Sequence, residues 1–176
     1  MTRITRSPKE TKDFAARIAG KLKGGEIIAL SGSLGAGKTV FVKGLARGLG
    51  IPERGVRSPS FVILTEHHQG RLPLFHFDFY RFRSGSEINT TPFEDCLKAG
   101  GIIVIEWPER VKDYLPEKSK WIKIEILGPR SRRITKLTLE MLQIISDKRL
   151  LKKLKAGHDD AKKRRGKFVR LTSVPQ

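Results

Sequence analysis

The chain is short of several things, and each shortage excludes something. One cysteine, Cys96, stands in 176 residues, so no internal disulfide can form and a reducing compartment is expected. Acids are scarce: 18 Asp and Glu face 36 Lys and Arg, for a formal net charge of +18. Long apolar runs are missing, since Ile27–Leu30 and Ile102–Ile105 fall far below the roughly 18 residues of a membrane span. The opening MTRITRSPKE places no apolar stretch after its basic residues, so no secretory signal is expected. These scarcities argue against a disulfide scaffold and a membrane protein, and the location expected is cytoplasmic. What is present is 38% apolar residues with nine Phe, enough for one domain of about 100–200 residues and too much for a disordered chain.

The positive charge is concentrated at one end. Residues 147–176 carry eleven Lys and Arg against three Asp, a net of +8. From Ala156 onward no helical or strand period remains, so we expect a domain over 1–155 and a basic, disordered tail over 156–176. Such a tail reads either as an electrostatic grip on RNA or as a solvated end.

Along the domain, Ser7-Pro8-Lys9-Glu10 predicts a capped helix start, and Phe14, Ile18 and Leu22 form one stripe that ends at Gly24-Gly25. Glu26–Leu30 reads as a buried strand, followed by a glycine loop and a helix over Lys38–Leu49. Ser60–His68 and Leu72–Phe79 predict a hairpin around Gln69-Gly70-Arg71. A short helix near Pro92–Ala99 leads to a second apolar strand, Gly101–Trp107, and Pro108 opens a helical turn to Leu115. Alternation from Ile122 to Ile126, a turn at Gly128–Arg132, a partner strand over Ile134–Met141 and a helix over Gln143–Lys155 complete the reading. The fold class expected is α/β, a single P-loop NTPase domain of three layers with a mixed central sheet.

The glycine loop carries the chemistry. Gly32-Ser33-Leu34-Gly35-Ala36-Gly37-Lys38-Thr39 matches G-x-x-x-x-G-K-[ST] at every fixed position. A loop of this length turns the backbone N–H groups of Ser33, Leu34, Gly35, Ala36 and Gly37 onto a phosphate, and the following helix adds its positive end. Lys38 then serves the β- and γ-phosphates and Thr39 offers a hydroxyl to Mg2+. Asn89 is the sole asparagine and sits in no guanine-reading N-K-x-D loop, so ATP is the expected nucleotide. Magnesium also needs a carboxylate from a neighbouring strand, and two stand at strand ends: Asp78 and Glu106. Glu106 ends a strand as apolar as the one feeding the loop, which predicts that the two are sheet neighbours. An ion pair with Arg81 is the plain structural alternative for Asp78.

The loop, Arg57-Ser58-Pro59-Ser60-Phe61, His76-Phe77-Asp78-Phe79-Tyr80-Arg81 and Glu106-Trp107-Pro108-Glu109-Arg110 follow one another in an order that resembles the TsaE family, also called YjeE. The resemblance implies a bacterial P-loop ATPase needed for N6-threonylcarbamoyladenosine in tRNA. It implies slow ATP hydrolysis, with TsaD and TsaB as partners that modify adenosine 37 of ANN-decoding tRNAs, hydrolysis resetting that complex between turnovers. Residue by residue it implies phosphate binding at Lys38, magnesium ligation by Thr39 and Glu106, and a catalytic role for Asp78 near the γ-phosphate. It implies a nucleotide-sensitive segment at Ser58-Pro59-Ser60 and Trp107 packed beside the magnesium carboxylate. Glu10, Thr11 and Arg132 or Arg133 fall near the adenine. Ser33 departs from the family's usual Asp, and Ser60 and Val40 from its usual Thr.

Other readings have less support. A small-molecule P-loop kinase would use Arg81–Arg83 or Arg130–Arg133 as a lid, yet no acceptor-binding constellation is visible. A nucleic-acid module led by the tail would lack an aromatic stacking platform. His67-His68 has no further ligand at metal spacing, His76 reads as a hydrogen-bonded core histidine, and Cys96, between acids that raise its pKa, reads as packing.

Overall fold

The computed structural model describes residues 1–137. The second half of the expected Ile134–Met141 strand, the helix over Gln143–Lys155 and the tail from Ala156 lie outside the described residues.

Strands β1 (Thr2–Thr5), β2 (Ile27–Ser31), β3 (Leu64–His67), β4 (Leu74–Asp78), β5 (Ile102–Glu106), β6 (Lys120–Ile126) and β7 (Arg132–Lys136) build one seven-stranded sheet. Its order is β1-β7-β6-β2-β5-β4-β3. The inner strands β6, β2, β5 and β4 run parallel, while β7, β1 and β3 are added antiparallel at the two edges. The sheet is therefore mixed, as expected, and the expected neighbours pair directly: Leu30 of β2 lies opposite Glu106 of β5.

Helices α1 (Pro8–Ala19) and α2 (Lys38–Gly48) cover one face. Ser7 caps α1, accepting the Glu10 N–H at 3.1 Å, while the Glu10 carboxylate reaches back to the Arg6 N–H at 3.0 Å. The helix stops at Gly20, earlier than the stripe predicts, yet Leu22 remains buried because a tight turn bonds its N–H to Ala19. Phe14, Phe41, Leu45 and Leu49 pack here on Leu30, Val104 and Ile122. The two helices touch at backbone distance. A Cβ on Gly48 would fall 2.5 Å from the Ala16 carbonyl, and one on Gly44 would collide with that of Lys12. Ion pairs Lys12–Glu53 and Arg47–Asp13, each 2.6 Å, close the rim.

The opposite face is covered by α3 (Phe93–Lys98) and 3-10 turns at Gly85–Thr90, Pro108–Arg110 and Lys112–Tyr114. Its core is aromatic: Phe77 meets Phe79 and Phe93 at centroid distances of 5.5 and 5.6 Å. Cys96 is buried in this layer, and burial, with Glu66 and Asp95, pushes its thiol up to about 11. Each large apolar side chain buried in either layer contributes about 1.5–3 kcal/mol.

Two expectations need correcting. The N-terminal strand β1 has no counterpart in the sequence reading; it forms because Thr2–Thr5 completes the edge beside β7. The strand expected from Ser60 begins only at Leu64. Before it, the Pro59 carbonyl accepts from the N–H groups of Val62 and Ile63, and Ile63 takes a left-handed φ of 68°, which a β-branched residue rarely adopts. Among the described residues, no helix is long and apolar enough to cross a membrane.

Candidate nucleotide site

Three parallel strands deliver the site at their carboxyl ends. β2 runs into the glycine loop, β4 ends in Asp78 and β5 ends in Glu106, with Asp78 and Glu106 opposite each other in register. In an open α/β sheet this is where ligands gather. The loop bends through positive φ at Gly32 (153°), Gly35 (75°) and Gly37 (97°), and Gly37 caps α2. Gly32 also passes so close to β6 that a Cβ would lie 2.5 Å from the Ile124 carbonyl. Ser33, Leu34 and Gly35 are exposed at the loop's crest, with Leu34 74% accessible, whereas Ala36 is buried beneath it.

Lys38, the first residue of α2, is buried. Its ammonium donates to the carbonyls of Gly32 (2.7 Å) and Ser33 (3.1 Å) and lies 3.8 Å above the Trp107 ring. Burial lowers its pKa below 10.5, against the opposing pull of Glu106, Glu109 and Asp78. Trp107 holds a left-handed φ of 60° and meets the Tyr80 ring at a tilt of 49°, with centroids 5.1 Å apart. The tryptophan thus serves the loop lysine as a cation–π partner, a contact the sequence reading did not identify.

Thr39 donates its hydroxyl proton to Glu106 Oε1 at 2.8 Å. The same oxygen is 3.0 Å from His76 Nε2, and His76 is fully buried. Asp78, 3% exposed, makes no bridge to Arg81, so that alternative is corrected. The hydroxyls of Ser58 and Ser60 both donate to Asp78 Oδ2, the latter at 2.7 Å, and the Tyr80 N–H donates to Oδ1 at 2.9 Å. Arg81 instead lies 4.1 Å over the ring of Phe61.

Beside the loop is a cavity of about 210 Å3 lined by Ser7, Thr11, Ala36, Val40, Pro129 and Arg132. Thr11 is buried there and bonds Thr5 at 2.8 Å, whereas Glu10 is exposed and occupied with its cap. Arg132 braces the loop: Nε and Nη2 donate to the carbonyls of Ala36 (2.9 Å) and Gly35 (3.1 Å), and Nη1 to Gly128 and Ser131. Arg133 turns away to Glu125 at 3.9 Å. A larger groove of about 470 Å3 lies between α1 and the β6–β7 strands, and no loop residue lines it. Among the described residues no group of three or more His, Cys, Asp or Glu is arranged to hold a metal by itself. His68 pairs with Glu66 at 2.9 Å, but His67 is buried, with its pKa lowered by burial and by His76 and His68.

A mixed sheet with parallel inner strands, whose central strand opens into this loop and helix beside strand-end carboxylates, defines the P-loop NTPase fold. The family model described as "Threonylcarbamoyl adenosine biosynthesis protein TsaE" matches residues 5–134. The tRNA threonylcarbamoyladenosine biosynthesis protein TsaE of Treponema pallidum (strain Nichols) is 41% identical over 132 residues, covering 75% of this chain and 96% of that protein. Its namesake from Bacillus subtilis (strain 168) is 40% identical, over 74% of this chain and 81% of that protein. The crystal structure of Bacillus subtilis YdiB superposes with a TM-score of 0.67 at 33% identity, covering 90% of this chain and 95% of that one. The chain belongs to the TsaE family.

Proposed function

We propose that the protein is a Mg2+-dependent ATPase that serves threonylcarbamoylation of adenosine 37 in ANN-decoding tRNAs, acting with TsaD and TsaB. The observation that carries this reading is the pairing, at 2.8 Å, of Thr39, one residue beyond the buried Lys38 in the first turn of α2, with Glu106 at the end of β5. A hydroxyl and a carboxylate so placed suit a hard cation that prefers oxygen ligands and keeps several waters. The donor set therefore fits magnesium and a nucleoside triphosphate.

Thr39 and Glu106 would hold the ion, which would supply positive charge to offset that of the phosphates. Loop amides from Ser33 to Gly37 receive the phosphates. Lys38 exchanges its two carbonyl acceptors for phosphate oxygens, which favours its charged form and opposes the effect of burial. The cavity at Thr11 and Arg132 takes the base. For hydrolysis, water adds to the γ-phosphorus, the bond to the bridging oxygen breaks, and ADP, phosphate and a proton leave. Asp78 orients that water. Its bonds to Ser58 and Ser60 tie the acid to the loop carrying Phe61, so a change at Asp78 reaches the surface. Ser60 retains the hydroxyl needed for this contact, and Ser33 leaves the loop without the family's usual acid. The basic segment 156–176 adds an electrostatic contact to tRNA, which its deletion tests.

The decisive experiment is complementation of a strain lacking its own TsaE, scoring threonylcarbamoyladenosine in bulk tRNA. Restored modification with the wild type and none with Lys38→Ala is the expected result. No restoration by a folded, expressed wild type, or phosphoryl transfer to a small hydroxylated acceptor in its place, overturns the reading.

A further inference from the structure

We propose that His76 is a positioning residue that fixes the Glu106 carboxylate for the metal, and this rests on the reading of Glu106 as a magnesium ligand. β4 alternates strictly. Phe75 and Phe77 enter the aromatic layer with Ile103 and Ile105 of β5, while Leu74 joins the helix-covered layer with Ile102 and Val104. His76 and Asp78 share the parity of Leu74, so H-x-D places an imidazole and a carboxylate on the nucleotide face one pleat apart.

A residue chosen only to fill this position would be apolar like its neighbours, because burying an imidazole costs desolvation. His76 is 0% exposed, and the single hydrogen bond of its imidazole among the described residues goes to Glu106 Oε1 at 3.0 Å. A carboxylate only accepts, so the proton in that bond belongs to Nε2. Nδ1 is buried without a partner, and a bare lone pair is the less costly atom to leave there. The tautomer is therefore fixed by the bond to Glu106.

The geometry at Glu106 gives the bond its purpose. Thr39 Oγ1 and His76 Nε2 both donate to Oε1, and Oε2 makes no hydrogen bond among the described residues. Two donors on one oxygen restrict the carboxylate's rotation and leave the second oxygen free to meet a cation held there. Were the Thr39 hydroxyl given over to a bound cation, the histidine bond alone would remain to orient the acid. Outer partners of this kind are worth about 10–100-fold in metal affinity when removed.

The test is a Mg2+ titration of AMPPNP binding, read by calorimetry, for wild type, His76→Leu, His76→Gln and Glu106→Gln. His76→Leu should raise the Mg2+ concentration at half-maximal binding about 10–100-fold and leave metal-free binding within about threefold. His76→Gln, which keeps a donor near the Nε2 position, should restore most of the loss. An unmoved Mg2+ midpoint in His76→Leu, with Glu106→Gln displaced, overturns the positioning role alone. An unmoved midpoint in Glu106→Gln overturns the ligand reading beneath it. Equal loss of metal-free binding with no recovery in His76→Gln assigns the residue to packing and also overturns the proposal. Nitrogen-15 NMR of the wild-type imidazole needs no variant: Nε2–H is expected, and an Nδ1–H tautomer rules the bond out.

Discussion

The two faces of β4 and β5 are made from the same ten residues and differ in everything that matters to the protein. One face holds Phe75, Phe77, Ile103 and Ile105 in an aromatic layer with no polar side chain of its own strands. The other sinks His76, Asp78 and Glu106 below 5% exposure, with Asp78 bonded by Ser58 and Ser60, Glu106 by Thr39 and His76, and His76 Nδ1 left without a partner. Burial strengthens each of those polar contacts and makes each unpaired group costly. The strand's two-residue period thus divides the work: the odd positions are wholly apolar, while the even positions begin as core at Leu74, Ile102 and Val104 and turn polar toward the carboxyl ends at His76, Asp78 and Glu106.

Breaking that division should give effects in a definite order. Phe77→Ala removes a fully buried ring from the aromatic layer, and a loss of about 3–5 kcal/mol is expected in denaturant unfolding. Nucleotide affinity measured on its remaining folded fraction should stay within about threefold; a larger change would show that the faces are not separable. Lys38→Ala should do the reverse, weakening ATP more than about 100-fold, or about 2.7 kcal/mol, with a small change in unfolding midpoint. Affinity unchanged within twofold would remove the loop from the binding site. Asp78→Asn should slow single-turnover hydrolysis about 100-fold while ATP still binds, and normal turnover would exclude this acid from the mechanism.

The smallest effect lies away from both faces, at Glu26. Burial pushes its carboxyl up, but the N–H groups of Gly24 and Lys23 and the Lys120 ammonium outweigh this and hold it below 4.5. Its contribution to stability is present above the unfolded value of 4.5 and is lost as pH falls through the lower folded value. Glu26→Gln should therefore unfold with a flatter pH profile below about pH 5 than the wild type. Parallel profiles would show that this carboxylate is not linked to folding.

Much of the site was legible because its chemistry is local. The loop spells itself out over Gly32–Thr39, and the apolarity of Ile27–Leu30 and Ile102–Ile105 was enough to place Glu106 beside it. The motifs beyond the loop became readable through their order, which matched a family. What remained hidden depended on contacts across the fold. Phe61–Leu64 is apolar and reads as strand, yet two serine hydroxyls before it bond Asp78 and turn the backbone. Arg81 is close to Asp78 in sequence and would be its natural partner, but the bend at Tyr80 gives it to Phe61. The choice between Arg132 and Arg133 turns on the parity of β7, which one residue of register decides. Trp107 on Lys38 could be found only once β2 and β5 were adjacent.

The backbone contact of α1 with α2 bears on how the nucleotide is gripped. Residues Ser7, Pro8 and Thr11 at the start of α1 wall one side of the smaller cavity, and α2 grows directly out of the phosphate loop. With glycine hydrogens as the sole spacers at positions 44 and 48, these helices have no side-chain slack in which to slide. The width of the smaller cavity is thereby gauged by two glycine hydrogens along α2, and any methyl added there would act as a wedge driven from behind.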